Sequence, residues 1–193
     1  MNLQDLLTGD VGVADVQARA RMVARALAGA GLRPVTRHKI ACLRDGKVIW
    51  EEEGENLTTY AGLAHMLTNY WKGNAWTAGF SVGLKSTGTI AGSDTSASHA
   101  GWSEVTAYAA ANRPALVLGS VTAGATSSVD NSASPANFVM NAAVTVAGAF
   151  VATSNTKGST SDVVIGASDF AASRPLQPND QLNVTVSLSA VTG

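Results

Sequence analysis

Apolar positions near the start of the chain recur at alternating spacings of three and four: Val13, Val16, Ala20, Val23, Leu27 and Ala30. This a/d pattern predicts an amphipathic or coiled-coil helix over Asp10 to Gly31. Asp10 suits its N-cap and Asp15 its dipole-positive end, while Gly29 and Gly31 stop the pattern ahead of Pro34. From His38 to Trp50 the period shortens in places, with Ile40 and Cys42, then Val48 and Trp50, on either side of Asp45-Gly46. Asp-Gly is a strong two-residue hairpin signal, because both central positions of the favoured turn need positive φ. A second, short helix is predicted from Thr58 to Lys72. Tyr60, Leu63, Leu67 and Tyr70 or Trp71 line one side of it, and Gly73-Asn74 ends it.

Beyond Gly73 the period changes to two. Phe80 to Leu84, parts of Val139 to Val146, and most clearly Leu182 to Leu188 alternate. Further strands are expected at Trp102 to Tyr108, Ala115 to Leu118, Gly148 to Thr153 and Val163 to Ile165. Turn formers fill Ser86 to Ser98, Ala123 to Pro135 and Ser154 to Ser161, which read as loops. The fold class is therefore α+β and mainly β. A helical arm and hairpin (residues 1–72) precede an antiparallel β-sandwich of jelly-roll or immunoglobulin-like type (residues 73–193). No crossover helices are visible, which argues against a doubly wound parallel sheet.

Composition sharpens this picture. The chain has 193 residues, 46% of them hydrophobic, and can bury a core. Only 14% are charged, against about 25% in typical domains, and the net charge is −1. After Gly73 the basic residues are Lys85, Arg113, Lys157 and Arg174 alone. So few charges provide little repulsion against self-association, and small uncharged side chains suit packing between copies. Compositional drift toward Ala and Gly gives the same count. The single cysteine, Cys42, excludes an intrachain disulfide, and no apolar run approaches the ~20 residues of a membrane span.

Catalytic motifs are absent or weak. His38, His65 and His99 fall in three separate segments, and neither HxxxH, HExxH nor a GxSxG elbow occurs. Gly88 to Gly92 lacks the phosphate-loop pattern. His99 reads as a turn residue beside a strand, with a base role or stacking on Trp102 as the alternatives. Asp94, Asp130 and Asp162 lack calcium-loop spacing and read as turn residues. No catalytic residue, metal ligand or cofactor is assigned. Seven basic residues and no acidic one lie between Val16 and Arg44 (Arg19, Arg21, Arg25, Arg33, Arg37, Lys39, Arg44). A solvated face explains them at least as well as contact with an acidic protein surface or with nucleic acid, for which no recognition motif is present. Glu51-Glu52-Glu53-Gly54-Glu55 reads as a solvated hairpin end, or as a partner for a neighbour's basic helix.

Large apolar anchors for the sandwich are Trp102, Tyr108, Phe138 and Phe150. The first helix has an apolar stripe of small residues, which buries modest area and needs a partner. Its candidate interaction seam is Val13, Val16, Val23 and Leu27, flanked by Arg19, Arg21 and Arg25.

From Asn56 onward the chain resembles a family of small structural proteins of tailed bacteriophages. The resemblance rests on Asn56-Leu57-Thr58-Thr59 with Gly62-Leu63, Val82-Gly83-Leu84, Ser98 to Tyr108 and Arg113-Pro114-Ala115. It continues through Val129 to Pro135, Val146 to Phe150, Lys157-Gly158 and Leu182 to Val186, about two thirds of the chain. It implies a virion component on the outer capsid surface, a capsid decoration (cement) protein, made in the host cytoplasm. Its implied partners are the major capsid protein and neighbouring copies of itself, as dimer or trimer. No specific nucleic acid or membrane is implied. The alternative within the resemblance is an adhesin-like module of a tail or head fibre.

Overall fold

The computed structural model describes residues 33–75, 79–99 and 101–191. The predicted helix from Asp10 to Gly31, and with it the seam Val13, Val16, Arg19, Arg21, Val23, Arg25 and Leu27, lies outside the described residues.

Among the described residues the chain is mainly antiparallel β-sheet. Strands β1 (Arg33–Arg44) and β2 (Lys47–Thr58) form the predicted hairpin. Asp45 and Gly46 close it at φ 51° and 74°, the left-handed pair that a two-residue turn demands. Helix α1 (Tyr60–Met66) and a π turn (Leu67–Trp71) follow. Then come β3 (Ser81–Lys85), β4 (Glu104–Val105), β5 (Thr126–Asp130), β6 (Ala136–Val139), β7 (Val144–Ala152), β8 (Val164–Leu176) and β9 (Gln181–Val191).

The hydrogen-bonded order is β4-β3-β7-β8-β2-β1-β9-β5, with β6 also on β9. Strand β2 pairs with β1 along its length but with β8 only through Leu57 and Thr58. Elsewhere the link to β8 is a side chain: Glu52 accepts from the Ala171 amide (2.7 Å) and from Arg174 (2.8 Å). The path turns over on itself there, because both halves feed one apolar cluster. Ile40, Cys42, Leu182 and Val184 come from one half, and Val82, Leu84, Val146 and Val151 from the other.

The hairpin therefore belongs to the body of the protein. Strand β1 pairs with β9 from Arg33↔Val191 to Leu43↔Gln181, and Ile40 and Cys42 are wholly buried. The boundary expected after Lys72 cuts through this sheet. The expected anchors Trp102, Tyr108, Phe138 and Phe150 are all buried.

Other expectations need correction. Ala115 to Leu118 makes a single bridge at Ala115, and Trp102 to Tyr108 is a two-residue strand plus a bridge at Tyr108. Strand β5 occupies part of the expected Ala123 to Pro135 loop. Strands β5 and β6 share one edge of β9, and the buried Asn131 fills the gap between them. Its amide donates to the Val184 carbonyl (3.2 Å) and accepts from the Val186 N–H (2.7 Å), standing in for a strand's backbone.

Glu51 to Glu55 lies within a strand, not at a hairpin end. Glu55 meets Arg37, and Glu51 and Glu53 meet Lys39, across the β1–β2 ladder. Arg44 forks onto Asp180 (2.7 and 2.8 Å). Three residues of the basic run are thus paired within the chain.

Candidate docking face

Helix α1 is fastened to the sheet by its first turn. Thr59, its N-cap, accepts from the Gly62 amide (2.9 Å) and donates its hydroxyl to the Val164 carbonyl (2.5 Å). The Thr59 amide donates to the Ile165 carbonyl (3.1 Å) and the Tyr60 amide to that of Gly92 (2.8 Å). Gly62 is the helix's buried residue, and a Cβ there would run into the Ile165 carbonyl. The helix thus lies flat on β8 through its smallest residue.

This seating decides where the large residues go. The row Tyr60, Leu63, Leu67, Tyr70 and Trp71 points away from the body. Tyr60 is 70% exposed, Leu67 57%, Tyr70 80% and Trp71 67%. The periodicity is as expected, but the row is turned outward. Tyr70 and Trp71 meet edge to face at 5.6 Å, and with His65, Met66, Asn69 and Phe80 they line a hollow of about 390 Å³. Aromatic side chains bury about 150–250 Å² each when covered. Three exposed rings on one short segment make it the candidate contact surface among the described residues. The sequence carried one sign of this orientation: a glycine opposite a row holding two of the chain's three tyrosines.

The remaining chemistry-bearing residues are committed to structure. Arg113 is buried and donates to both Glu104 oxygens (2.9 and 2.8 Å), to Asp162 (2.5 Å) and to the Ser154 carbonyl (3.1 Å). Glu104 also accepts from the Gly158 amide (2.7 Å). Strand β4 and the 154–162 loop are locked together by these bonds. Asp162 lies in a bend of that loop and is also an ion-pair partner of Arg113. Lys85 is wholly buried and gives its three protons to Asp169 (2.5 Å), the Gly88 carbonyl (2.6 Å) and the Ser86 carbonyl (3.2 Å). Gly148 makes room for it, since a Cβ there would sit 2.7 Å from Lys85 Cδ.

His99 stacks on Trp102 with ring centroids 4.2 Å apart and donates Nδ1–H to the Trp102 carbonyl (2.7 Å). Asp94 accepts from Trp102 Nε1 (2.8 Å) and the Ala91 amide (2.9 Å). Asp130 accepts from the Ser132 amide (2.8 Å), the expected turn. His38 is buried, with Nδ1 3.0 Å from Asn56 Oδ1, and desolvation holds its pKa below the ordinary value. Burial pushes the Cys42 thiol up to about 11, which leaves it a poor nucleophile at neutral pH.

Among the described residues no three His, Cys, Asp or Glu side chains converge as a metal site, and no helix is long and apolar enough to cross a membrane. No protein-family model matches the chain, and no curated protein or solved structure is significantly similar to it.

Proposed function

We propose that this chain is a structural protein of a tailed-phage virion, a capsid decoration (cement) protein that binds the head shell without catalysing a reaction. The observation that carries the reading is the set of exposed rings formed by Tyr60 on α1 and by Tyr70 and Trp71 on the π turn that follows it, on a segment whose first turn is fastened to the β-body. A rigid apolar rim on a protein with few charges is suited to attachment to a protein surface. On a symmetric shell many modest contacts add through avidity, so one small rim per copy suffices. The proposed partners are the major capsid protein and neighbouring copies of this chain. The antiparallel path from β4 to β5 is taken, within the same proposal, as a β-sandwich of jelly-roll or immunoglobulin-like type.

The fibre-module reading has one observation in its favour. A hollow of about 290 Å³ is lined by Ser96, His99, Trp102, Ser159 and Thr160, and the Ser96 hydroxyl is buried without a partner. Against it, Trp102 is covered by His99 on one side and packs on Phe150 at 5.3 Å, so it offers no open ring for a sugar. Copy number in purified particles separates the two. Many copies over the shell support decoration, and a handful per particle supports a fibre.

A further inference from the structure

Lys85, Gly148 and Asp169 stand in one cross-strand row. Lys85 on β3 is opposite Gly148 on β7, and Gly148 is opposite Asp169 on β8. The glycine keeps the row open, since a Cβ at residue 148 would sit 2.7 Å from Lys85 Cδ. Lys85 therefore reaches across β7, a gap of about 10 Å at two strand spacings. Its Nζ ends 2.5 Å from Asp169 Oδ1. The Lys85 side chain is wholly buried, with the Trp102 ring centroid 5.9 Å from Nζ, while that of Asp169 is 35% exposed.

We propose that Lys85 and Asp169 condense into an intramolecular isopeptide bond, a covalent clasp between β3 and β8 across β7. Nζ directs one proton at Asp169 Oδ1 and the others at the Ser86 carbonyl (3.2 Å) and the Gly88 carbonyl (2.6 Å). Passing the first proton to Oδ1 leaves a neutral amine and a carboxylic acid. The two remaining N–H groups stay on the two carbonyls, so the lone pair faces Asp169 Cγ. Attack forms the Nζ–Cγ bond. The Ile90 amide, 3.3 Å from Oδ2, donates to the oxygen on which negative charge develops. A second proton then moves from Nζ to Oδ1, the Cγ–Oδ1 bond breaks, and water leaves by the exposed side of Asp169. One N–H remains on the new amide. Ammonium and carboxylate have become an amide and one water, with nothing oxidised or reduced.

Two features favour the bond over a lasting ion pair. An ammonium with no exposure has lost its hydration, a cost that a neutral amide does not carry. Holding both groups in one geometry also replaces a bimolecular encounter, and well-oriented pairs reach effective concentrations of roughly 10⁵–10⁸ M. Arg113 is the contrast within the same molecule. It is buried against Glu104 and Asp162, but a guanidinium keeps its proton, so those pairs stay ionic. The clasp forms once per chain and is a modification, not a turnover. This inference stands independently of the virion reading.

The test is the mass of the intact full chain, followed by a tryptic map of the same sample under denaturing conditions. The chain is expected to be lighter than its sequence by one water. Cleavage after Lys157 separates the peptide holding Lys85 from the peptide holding Asp169 unless the two are bonded. The map should therefore show them joined, with no cut after Lys85. Asp169→Ala and Lys85→Arg should each keep their full mass. Full sequence mass in the parent chain would overturn the proposal. A water lost within a single peptide, as from a succinimide, would overturn it too, and so would a water still lost from either variant. Because the parent chain carries the decisive reading, the proposal stays falsifiable even where a variant fails to fold.

Discussion

Arg113 and Trp71 stand at opposite extremes of the same molecule. Around Arg113, every strong donor is spent internally: two carboxylates, a carbonyl and the Phe150 ring 5.0 Å from its guanidinium carbon. Around Trp71, large rings are held out in water by a helix whose one buried residue is glycine. Around Arg113, charged groups that ordinarily advertise a site are inside and serve the fold. Around Trp71, apolar groups that ordinarily make a core are outside. The proposed function accordingly rests on these apolar residues.

The contrast breaks first where its energies are largest. Replacing Arg113 with Met strands Glu104 and Asp162 as buried, unpaired carboxylates, and should cost about 3–5 kcal/mol of stability. Chemical denaturation should show this loss for the whole protein. A cost near zero would mean that the buried network does not hold β4 and the 154–162 loop.

Gly62→Val tests the seat of the helix. A side chain there meets the Ile165 backbone, which cannot yield without moving β8 or the helix, and such overpacking costs about 1–3 kcal/mol. Unlike the Arg113 change, it should also disturb the rim, read as a change in Trp71 fluorescence.

A smaller effect appears with pH. His38 is buried and its pKa lies below the ordinary 6.5, so the unfolded chain takes up a proton that the folded chain refuses. Stability should therefore be full above pH 6.5 and fall as pH drops below it. His38→Gln should flatten this slope, leaving the part due to His65, whose pKa burial also lowers. An unchanged slope would place the titration elsewhere. Below the carboxylate range a further loss is expected, because Arg174 and the Ala171 amide hold Glu52 low and Arg44 holds Asp180 low.

How far the sequence anticipates all this depends on how local each cause is. The Asp45-Gly46 turn and the Asp130 turn were legible because their demands, positive φ and a side chain reaching two residues on, lie within a few positions. Trp102, Tyr108, Phe138 and Phe150 were legible as anchors by size. Strand β5 (Thr-Ser-Ser-Val-Asp) was not, because nothing in its polar composition distinguishes it from a turn. It is a strand because β9 offers it an edge. The place of the hairpin in the sheet was hidden for the same reason, since β1 finds its partner β9 about 150 positions away. For helix α1 the periodicity identified a face but not its direction. Direction came from Gly62, whose meaning depends on the Ile165 carbonyl.

The smallest effect on stability is expected from the change that bears most on function. Tyr70→Asp with Trp71→Asp removes two rings that are 80% and 67% exposed, so stability should stay within about 0.5 kcal/mol of the parent. Occupancy of this variant on purified phage heads, measured against the parent protein, tests the docking face most directly. Folded variant with occupancy lost is the predicted result, and wild-type occupancy would contradict the account.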